Sequence, residues 1–176
     1  MSKILLHNCC APCTTFVYKW LKENDLEVKG LFYNPNIAPP AEYEKRLSAM
    51  ELYASNAGMD VIYKRDDSQI TPGDCENCYR IRLRKTAELA KDGCYAYFST
   101  TLLISPYQKH DLLKEIGEEV SSEIGIDFYY QDFRVGYQES RQMAKEMNLY
   151  RQKYCGCGVE LSGGGGNCRG VQRSCL

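Results

Sequence analysis

The sequence contains no long apolar run. No stretch approaches the roughly 18 consecutive apolar residues that are typical of a membrane-spanning helix. The short apolar run after Lys3 is shorter than the hydrophobic region of a secretory signal peptide. We therefore expect a cytoplasmic protein that has no membrane partner.

An excess of charge of either sign is also absent. The 22 Lys and Arg residues nearly balance the 23 Asp and Glu residues, which leaves a formal net charge of -1. Such a chain has no overall field that attracts nucleic acid, so any RNA contact needs a local basic patch. No internal repeat is evident, which argues against a repeat array.

Cysteine, in contrast, is abundant, with ten residues in a chain of 176. In a reducing compartment, such cysteines more often bind metal or act in catalysis than form structural disulfides. We expect Cys94 to lie in the core, and we set Cys168 and Cys175 aside with the C-terminal tail. The motifs HNCCAPC, CENC and YCGC contain the remaining cysteines: Cys9, Cys10, Cys13, Cys75, Cys78, Cys155 and Cys157.

Segments of strand and helix type alternate along the chain. The expected strands cover residues 3–8, 26–35, 59–64, 95–105 and 127–133. The expected helices cover residues 13–24, a segment that closes at Gly58, residues 75–93, part of 107–125 and about 138–148. Such alternation predicts an α/β fold, with one parallel sheet of about five strands and helices on both faces.

The sequence predicts a single domain over residues 1–160, followed by a short tail. The segment 161–176 contains four consecutive glycines and has no hydrophobic period. We expect it to be a flexible glycine-rich tail that takes no part in catalysis.

The cysteine motifs occupy related places in this predicted fold. HNCCAPC follows the first strand, CENC follows the third, and STTLLISPY leads out of the fourth. The carboxyl ends of parallel strands lie at one edge of the sheet, and ligands bind there in open α/β folds. We therefore expect the separate cysteine motifs to converge at that edge.

The number of cysteines limits the chemistry that they can serve. Cys9 and Cys10, joined by the CENC pair, provide four thiolates, the set that zinc or a 4Fe-4S cluster requires. The C-x-C pair, Cys155 and Cys157, can form a strained, easily reduced disulfide or bind a metal. One structural zinc would leave three thiols unused, which favours an oxidoreductase.

Five motifs in order, HNCCAPC, CENCYRIRL, STTLLISPYQ, DFR and YRQKYCGC, resemble those of the cobalamin-independent epoxyqueuosine reductase family. The resemblance spans about residues 3–157. It implies a Rossmann-like fold and the last step of queuosine synthesis, in which an epoxide oxygen is removed from epoxyqueuosine in tRNA. It also implies a 4Fe-4S cluster held by Cys9, Cys10, Cys75 and Cys78.

The same resemblance implies further roles. Cys155 and Cys157 would form a redox pair or bind a second mononuclear iron beside the cluster. Cys13 is a further candidate ligand for that iron. A reductase of this kind also needs an electron donor as a partner, whose identity the sequence leaves open.

Removal of the oxygen also requires proton donors. Candidates near the expected pocket are His7, Tyr107 and Asp132. His7 fits equally well as a hydrogen-bonded core histidine, and Asp132 as the partner of Arg134 in a simple ion pair.

Basic residues cluster in two of the motifs. YRIRLRK contains Arg80, Arg82 and Arg84, and YRQK adds Arg151. Phosphate groups require local positive charge, and unpaired loop bases stack on guanidinium planes or aromatic rings. We expect these arginines to bind the tRNA, although a solvated helix face would have the same pattern.

Two other functions remain open. An ATP-dependent tRNA-thiolating enzyme has the same fold type, but it carries a Ser-Gly-Gly phosphate loop directly after the first strand, where this chain has CCAPC. A zinc-stapled RNA-binding module would need only four thiolates, and would leave the C-x-C pair without a role.

Overall fold

The computed structural model describes residues 1–65 and 73–157 of the chain. The predicted tail at 161–176, with Cys168 and Cys175, lies outside these residues. The strands are β1 (Ser2–His7), β2 (Leu26–Tyr33), β3 (Val61–Lys64), β4 (Tyr97–Thr100) and β5 (Asp127–Phe128). The helices are α1 (Ala11–Glu23), α2 (Pro40–Ala57), α3 (Cys75–Asp92), α4 (His110–Ile124) and α5 (Tyr137–Glu146). Two short 3-10 helices span Thr101–Ile104 and Phe133–Gly136.

The described strands form one sheet in which every pairing is parallel. Their order is β3-β2-β1-β4-β5. Strands β2 and β3 lie on one side of β1, and β4 and β5 lie on the other, so the strand order reverses between β1 and β4. Right-handed crossovers then place α1 and α2 on one face and α3 and α4 on the other. The packing agrees, because α1 contacts α2 and α5 while α3 packs on α4. The predicted Rossmann-like α/β fold is confirmed.

Four strands are shorter than the sequence predicted: β2 and β3 by two residues each, and β4 and β5 by more. The segment 95–105 forms a strand only over Tyr97–Thr100, because the Thr100 side chain accepts a hydrogen bond from the Leu102 amide and starts a 3-10 helix. Similarly, the segment 127–133 is a strand only at Asp127–Phe128, and Asp132 caps the second 3-10 helix. In both segments a side-chain cap starts a 3-10 helix where the sequence predicted that the strand continues.

Cys94 does not lie in the core, contrary to expectation. It is exposed, in the turn after α3, with a backbone φ of 55°. The turn that separates α3 from β4 requires this left-handed conformation, and it directs the residue away from the sheet.

The centre of the core is β1, which is covered on both faces. Its residues Ile4, Leu5 and Leu6 are fully buried. A parallel strand in the middle of a doubly covered sheet shows such a continuous apolar run rather than an alternating one. In the two described ranges, no helix is long and apolar enough to cross a membrane.

Because Leu5 is fully buried on the central strand, we expect Leu5→Ala to lower the free energy of unfolding by about 2–5 kcal/mol. Denaturant unfolding measures this change. The control is Leu52→Ala in α2, where the side chain is 48% exposed and the expected change is below about 0.5 kcal/mol. Equal effects of the two substitutions would contradict the position of the core.

Candidate metal centre and adjoining cavity

Three thiols meet where β1 passes into α1. The Sγ atoms of Cys9, Cys10 and Cys13 all lie within 4.8 Å of one another, close enough to hold one metal ion. Cys10 is the N-cap residue of α1, so the thiols lie at the positive end of the helix dipole. The Thr101 hydroxyl accepts a hydrogen bond from the Cys9 amide at 3.0 Å and lies 3.2 Å from Cys9 Sγ.

Hydrogen bonds within this triad favour one thiolate. The thiols of Cys13 and Cys9 stabilise a negative charge on Cys10, and its pKa is lowered well below the usual value. The same hydrogen bonds to Cys10, together with burial, raise the pKa of Cys9 and of Cys13. Metal ligands must be deprotonated, and here the protein already supplies part of the charge that a cation requires.

The CENC pair, Cys75 and Cys78, lies at the start of α3. Asp74 caps α3 by accepting a hydrogen bond from the Asn77 amide at 3.1 Å, which places Cys75 and Cys78 in the first helical turn. Cys78 Sγ accepts a hydrogen bond from Asn36 Nδ2 at 3.1 Å. A small cavity of about 20 Å³ is lined by both of these cysteines and by the C-x-C pair, Cys155 and Cys157.

A buried guanidinium interacts electrostatically with cysteines of both groups, the triad after β1 and the four cysteines around the small cavity. Arg82 is only 5% exposed, and its Nη1 donates to Asn34 Oδ1 at 2.6 Å while Nη2 donates to Asn36 Oδ1. Its Nε atom has no hydrogen-bond partner among the described residues. Burial disfavours the charge, but electrostatic interaction with the neighbouring cysteines, Cys78 first, raises the pKa of Arg82 above its usual value. Cys155, Cys9 and Cys157 also contribute to this rise.

The prediction that Arg82 binds RNA at the surface is therefore wrong, because this side chain is buried. Arg82 faces the cysteines inside the protein, where it is not part of a surface patch. Arg80 and Arg84 do lie on the outer side of α3, and each pairs with a glutamate of α4. The Arg80–Glu119 contact is 2.8 Å, and Arg84 contacts Glu123.

A second buried charge holds the segment that carries the C-x-C pair. Glu42 in α2 is 2% exposed and accepts hydrogen bonds from the hydroxyls of Tyr150 at 2.6 Å and Tyr154 at 2.9 Å. Arg46 Nε donates to Glu42 at 2.7 Å. Burial opposes the charge on Glu42, but these hydrogen bonds hold its pKa below the usual value. In addition, the Gly156 carbonyl accepts from the Ala38 amide at 2.9 Å.

Two of the expected proton donors are already engaged. His7 is fully buried, with Nδ1 at 2.8 Å from Thr100 Oγ1 and Nε2 at 3.0 Å from the Tyr33 carbonyl. Burial and the charge of Arg82 lower its pKa to about 3, so the ring is neutral and its N–H donates to the carbonyl. Asp132 accepts from Arg134 at 2.6 Å, and this ion pair lowers its pKa to about 2.

Tyr107 has a different setting, because it lines a larger cavity beside the triad. The volume of this cavity is about 380 Å³. Cys13 belongs both to the thiol triad and to the cavity wall, so the cavity borders the triad at this residue. The described lining residues are Pro12, Cys13, Ser105, Tyr107, Tyr137, Ser140, Arg141, Arg151, Gln152 and Lys153.

Sequence reasoning missed several of these residues. Tyr137 and Arg141 stand one helical turn apart in α5, a spacing that places them on one face, but nothing in the sequence indicated that this face borders the cysteines. The buried Glu42 likewise stands in a helix rich in charged residues, without a local sign of burial.

Comparison with solved structures supports the fold alone. One similar chain is described as a predicted subunit of tRNA methyltransferase from Methanocaldococcus jannaschii. The two structures align with a TM-score of 0.59 over 83% of this chain and 75% of the other, at 13% sequence identity.

Comparison with characterised sequences identifies the family. A protein of Dehalococcoides mccartyi named Epoxyqueuosine reductase QueH is 40% identical over 88% of this chain and 90% of its own length. A protein of the same name from Thermotoga maritima is 34% identical over 92% of this chain and 91% of its own length. The model of the family Epoxyqueuosine reductase QueH matches residues 4–161. This chain therefore belongs to the epoxyqueuosine reductase QueH family.

Proposed function

We propose that this protein reduces epoxyqueuosine in tRNA to queuosine, the last step in the synthesis of that nucleoside. In this reaction the epoxide loses its oxygen, and two electrons and two protons yield an alkene and one molecule of water. The observation that carries the proposal is that Cys13 belongs both to a cluster of three thiols and to the wall of a cavity of about 380 Å³. Family membership supports the substrate.

The donor set fits a 4Fe-4S cluster held by Cys9, Cys10, Cys75 and Cys78. All four side chains are thiols at helix N-termini, where the dipole favours negative charge. The buried charge of Arg82 also suits an anionic group, since its Nε has no hydrogen-bond partner in the part of the chain that the structure describes. Such a cluster supplies single electrons at low potential when it is bound.

The other thiols serve a second function in this proposal. Cys155 and Cys157 line the small cavity with the CENC pair, where they would act as a dithiol or as ligands of a second mononuclear iron. Cys13 would complete the ligands of such an iron from the side of the larger cavity. An electron-donor protein must renew the two electrons after each turnover.

Tyr107 is the proton donor that we assign to the epoxide oxygen. Its ring lines the cavity together with Cys13, whereas His7 and Asp132 are held in other interactions. A phenolic O–H next to a breaking C–O bond can transfer its proton as the alkoxide charge develops. The cavity wall keeps the substrate oriented towards that hydroxyl.

Substitution of the cysteines separates the roles of the two groups. We expect Cys9→Ala and Cys78→Ala to lose iron, sulfide and visible absorption after anaerobic purification, because a cluster ligand is missing. We expect Cys155→Ala to keep its sulfide but lose turnover. If the C-x-C pair binds a second iron, this variant also loses the iron in excess of sulfide, whereas a dithiol leaves iron unchanged.

The control for these variants is Cys94→Ala, because Cys94 is exposed in the turn after α3. It should retain full iron content and turnover. Full turnover in Cys155→Ala would contradict a role for the C-x-C pair, and colourless wild-type protein with a single zinc would contradict the reductase itself.

Replacement of Tyr107 by Phe tests the proton donor. The ring and its packing are retained, so we expect unchanged tRNA binding but a turnover that falls by about 10²–10⁴-fold, the range for loss of general acid catalysis. Single-turnover assays with tRNA containing epoxyqueuosine measure this rate. Asp132→Asn is the comparison, and a larger loss in that variant than in Tyr107→Phe would refute the assignment.

Replacement of Arg82 tests its electrostatic role. Removal of a buried positive charge disfavours an added electron, so we expect Arg82→Met to lower the midpoint potential of the metal centre by more than about 60 mV, a tenfold effect for one electron. Arg82→Lys keeps the charge and should stay closer to the wild-type potential. Anaerobic redox titration gives both values, and Arg84→Met on the outer side of α3 is the control.

The iron content of the same variants covers the case in which the centre does not assemble. Loss of iron in Arg82→Met with retention in Arg82→Lys would still identify charge as the requirement. Equal potentials in Arg82→Met and the wild type would show that the guanidinium has no electrostatic role.

A further inference from the structure

Three of the four arginines that the sequence analysis proposed for RNA binding are poorly placed for it. Arg80 and Arg84 are paired with glutamates of α4, so an RNA phosphate would have to compete with carboxylates already in contact. Arg82 is buried. Arg151 alone among the four lines the larger cavity.

The wall of that cavity combines positive charge with an absence of acidic groups. Arg141, Arg151 and Lys153 contribute to it, and no Asp or Glu occurs among its described lining residues. Arg151 and Lys153 are exposed, so their charged ends can reach groups at the mouth of the cavity. Such an arrangement attracts anions locally although the whole chain is nearly neutral.

Aromatic rings provide the second feature. Tyr107 and Tyr137 are half-buried and pack edge to face, with ring centroids 6.0 Å apart. The Arg141 guanidinium lies 5.8 Å from the Tyr137 ring centroid, and its Nη1 donates to the Tyr137 hydroxyl at 3.3 Å. Flat rings and a guanidinium plane beside one another are the surfaces on which unpaired bases stack.

The size and position of the cavity limit its occupant. Its volume of about 380 Å³ is within the range of about 300–1,000 Å³ for sites that enclose a small organic group. A single extruded nucleoside matches this volume, whereas a paired helix would not enter. The Cys13 thiol in the wall would then lie next to the nucleoside.

We propose that this cavity is the RNA site: it takes one unpaired nucleoside of a tRNA loop against the rings of Tyr107 and Tyr137, and Arg141, Arg151 and Lys153 bind the phosphates on either side of it. The inference rests on the proposed function for the choice of RNA as the ligand. It adds Tyr137 and Arg141 to the residues that act on the substrate. It also moves the RNA surface from α3 to α5 and the segment after it.

The test measures RNA binding directly. The full-length protein, purified with its metal under anaerobic conditions, is titrated with an unmodified RNA hairpin that has an unpaired loop, and fluorescence anisotropy is followed at several salt concentrations. We expect Arg141→Gln/Arg151→Gln/Lys153→Gln to bind at least tenfold more weakly. The slope of log K against log salt should fall by about 2, since each lost single-strand phosphate contact removes about 0.7.

Matched variants separate this site from the surface of α3. Arg80→Gln/Arg84→Gln should bind the hairpin like the wild type, because those charges are already paired with glutamates. Tyr137→Leu should weaken binding at least about fivefold through loss of stacking, whereas Tyr137→Phe should retain it. Unchanged iron content and circular dichroism show that each variant is folded.

Two results would overturn the proposal: wild-type binding by the triple variant, or a greater loss of binding in Arg80→Gln/Arg84→Gln than in the triple variant. If the triple variant binds RNA normally but is no longer reduced by an acidic electron-carrier protein, the basic wall is a protein docking site instead. If RNA binds in the cavity but epoxyqueuosine is not reduced, only the proposed function fails.

Discussion

A guanidinium buried among thiols is the interaction on which the functional edge of this protein depends. A charge inside a protein is tolerated only when opposite charge and hydrogen bonds compensate for lost water. Arg82 donates hydrogen bonds to the amide oxygens of Asn34 and Asn36, just after β2, and the cysteines that interact electrostatically with its charge come from three separate parts of the chain. The requirement for compensation therefore holds α3, the end of β2 and the C-terminal segment together at one place, beside the thiols that follow β1.

The same principle explains how the C-x-C pair is held without a helix or strand of its own. In the segment after α5, Leu149 packs in the core, and hydrogen bonds from Tyr150 and Tyr154 to the buried Glu42 carboxylate fix the part that leads to the C-x-C pair. Arg46 binds that carboxylate as well and also donates to the Tyr154 carbonyl at 3.2 Å. A network of this kind loses much of its strength when one member is removed, because the remaining charge is left buried. The position of the C-x-C pair thus depends on α2, a helix that contributes no cysteine.

Much of the fold followed from the sequence because alternating strands and helices admit few topologies, and the convergence of HNCCAPC and CENC followed from the shared edge of a parallel sheet. Arg82 shows where the reasoning failed. With 3.6 residues per turn, a position two residues from Arg80 and two from Arg84 faces the opposite side of a helix, so the three could not form one patch. The burial of Arg82 could therefore have been predicted from this spacing. The position of Arg141 and Tyr137 beside the cysteines could not, since it depends on how α5 packs against α1.

That packing depends on a glycine. A Cβ atom at Gly136 would lie only 2.1 Å from Phe16 Cε1, so a larger residue there would displace either the Phe16 ring or the start of α5. Tyr137 and Arg141 of α5 line the cavity together with Pro12 and Cys13 of α1, so the approach of the two helices helps to set its width. Cys13 belongs to the first turn of α1, which begins where the strand order reverses, and its other neighbours are the thiols of Cys9 and Cys10. A nucleoside in this cavity would therefore be separated from those two thiols only by the Cys13 side chain, and the approach of α5 to α1 governs how close it can come.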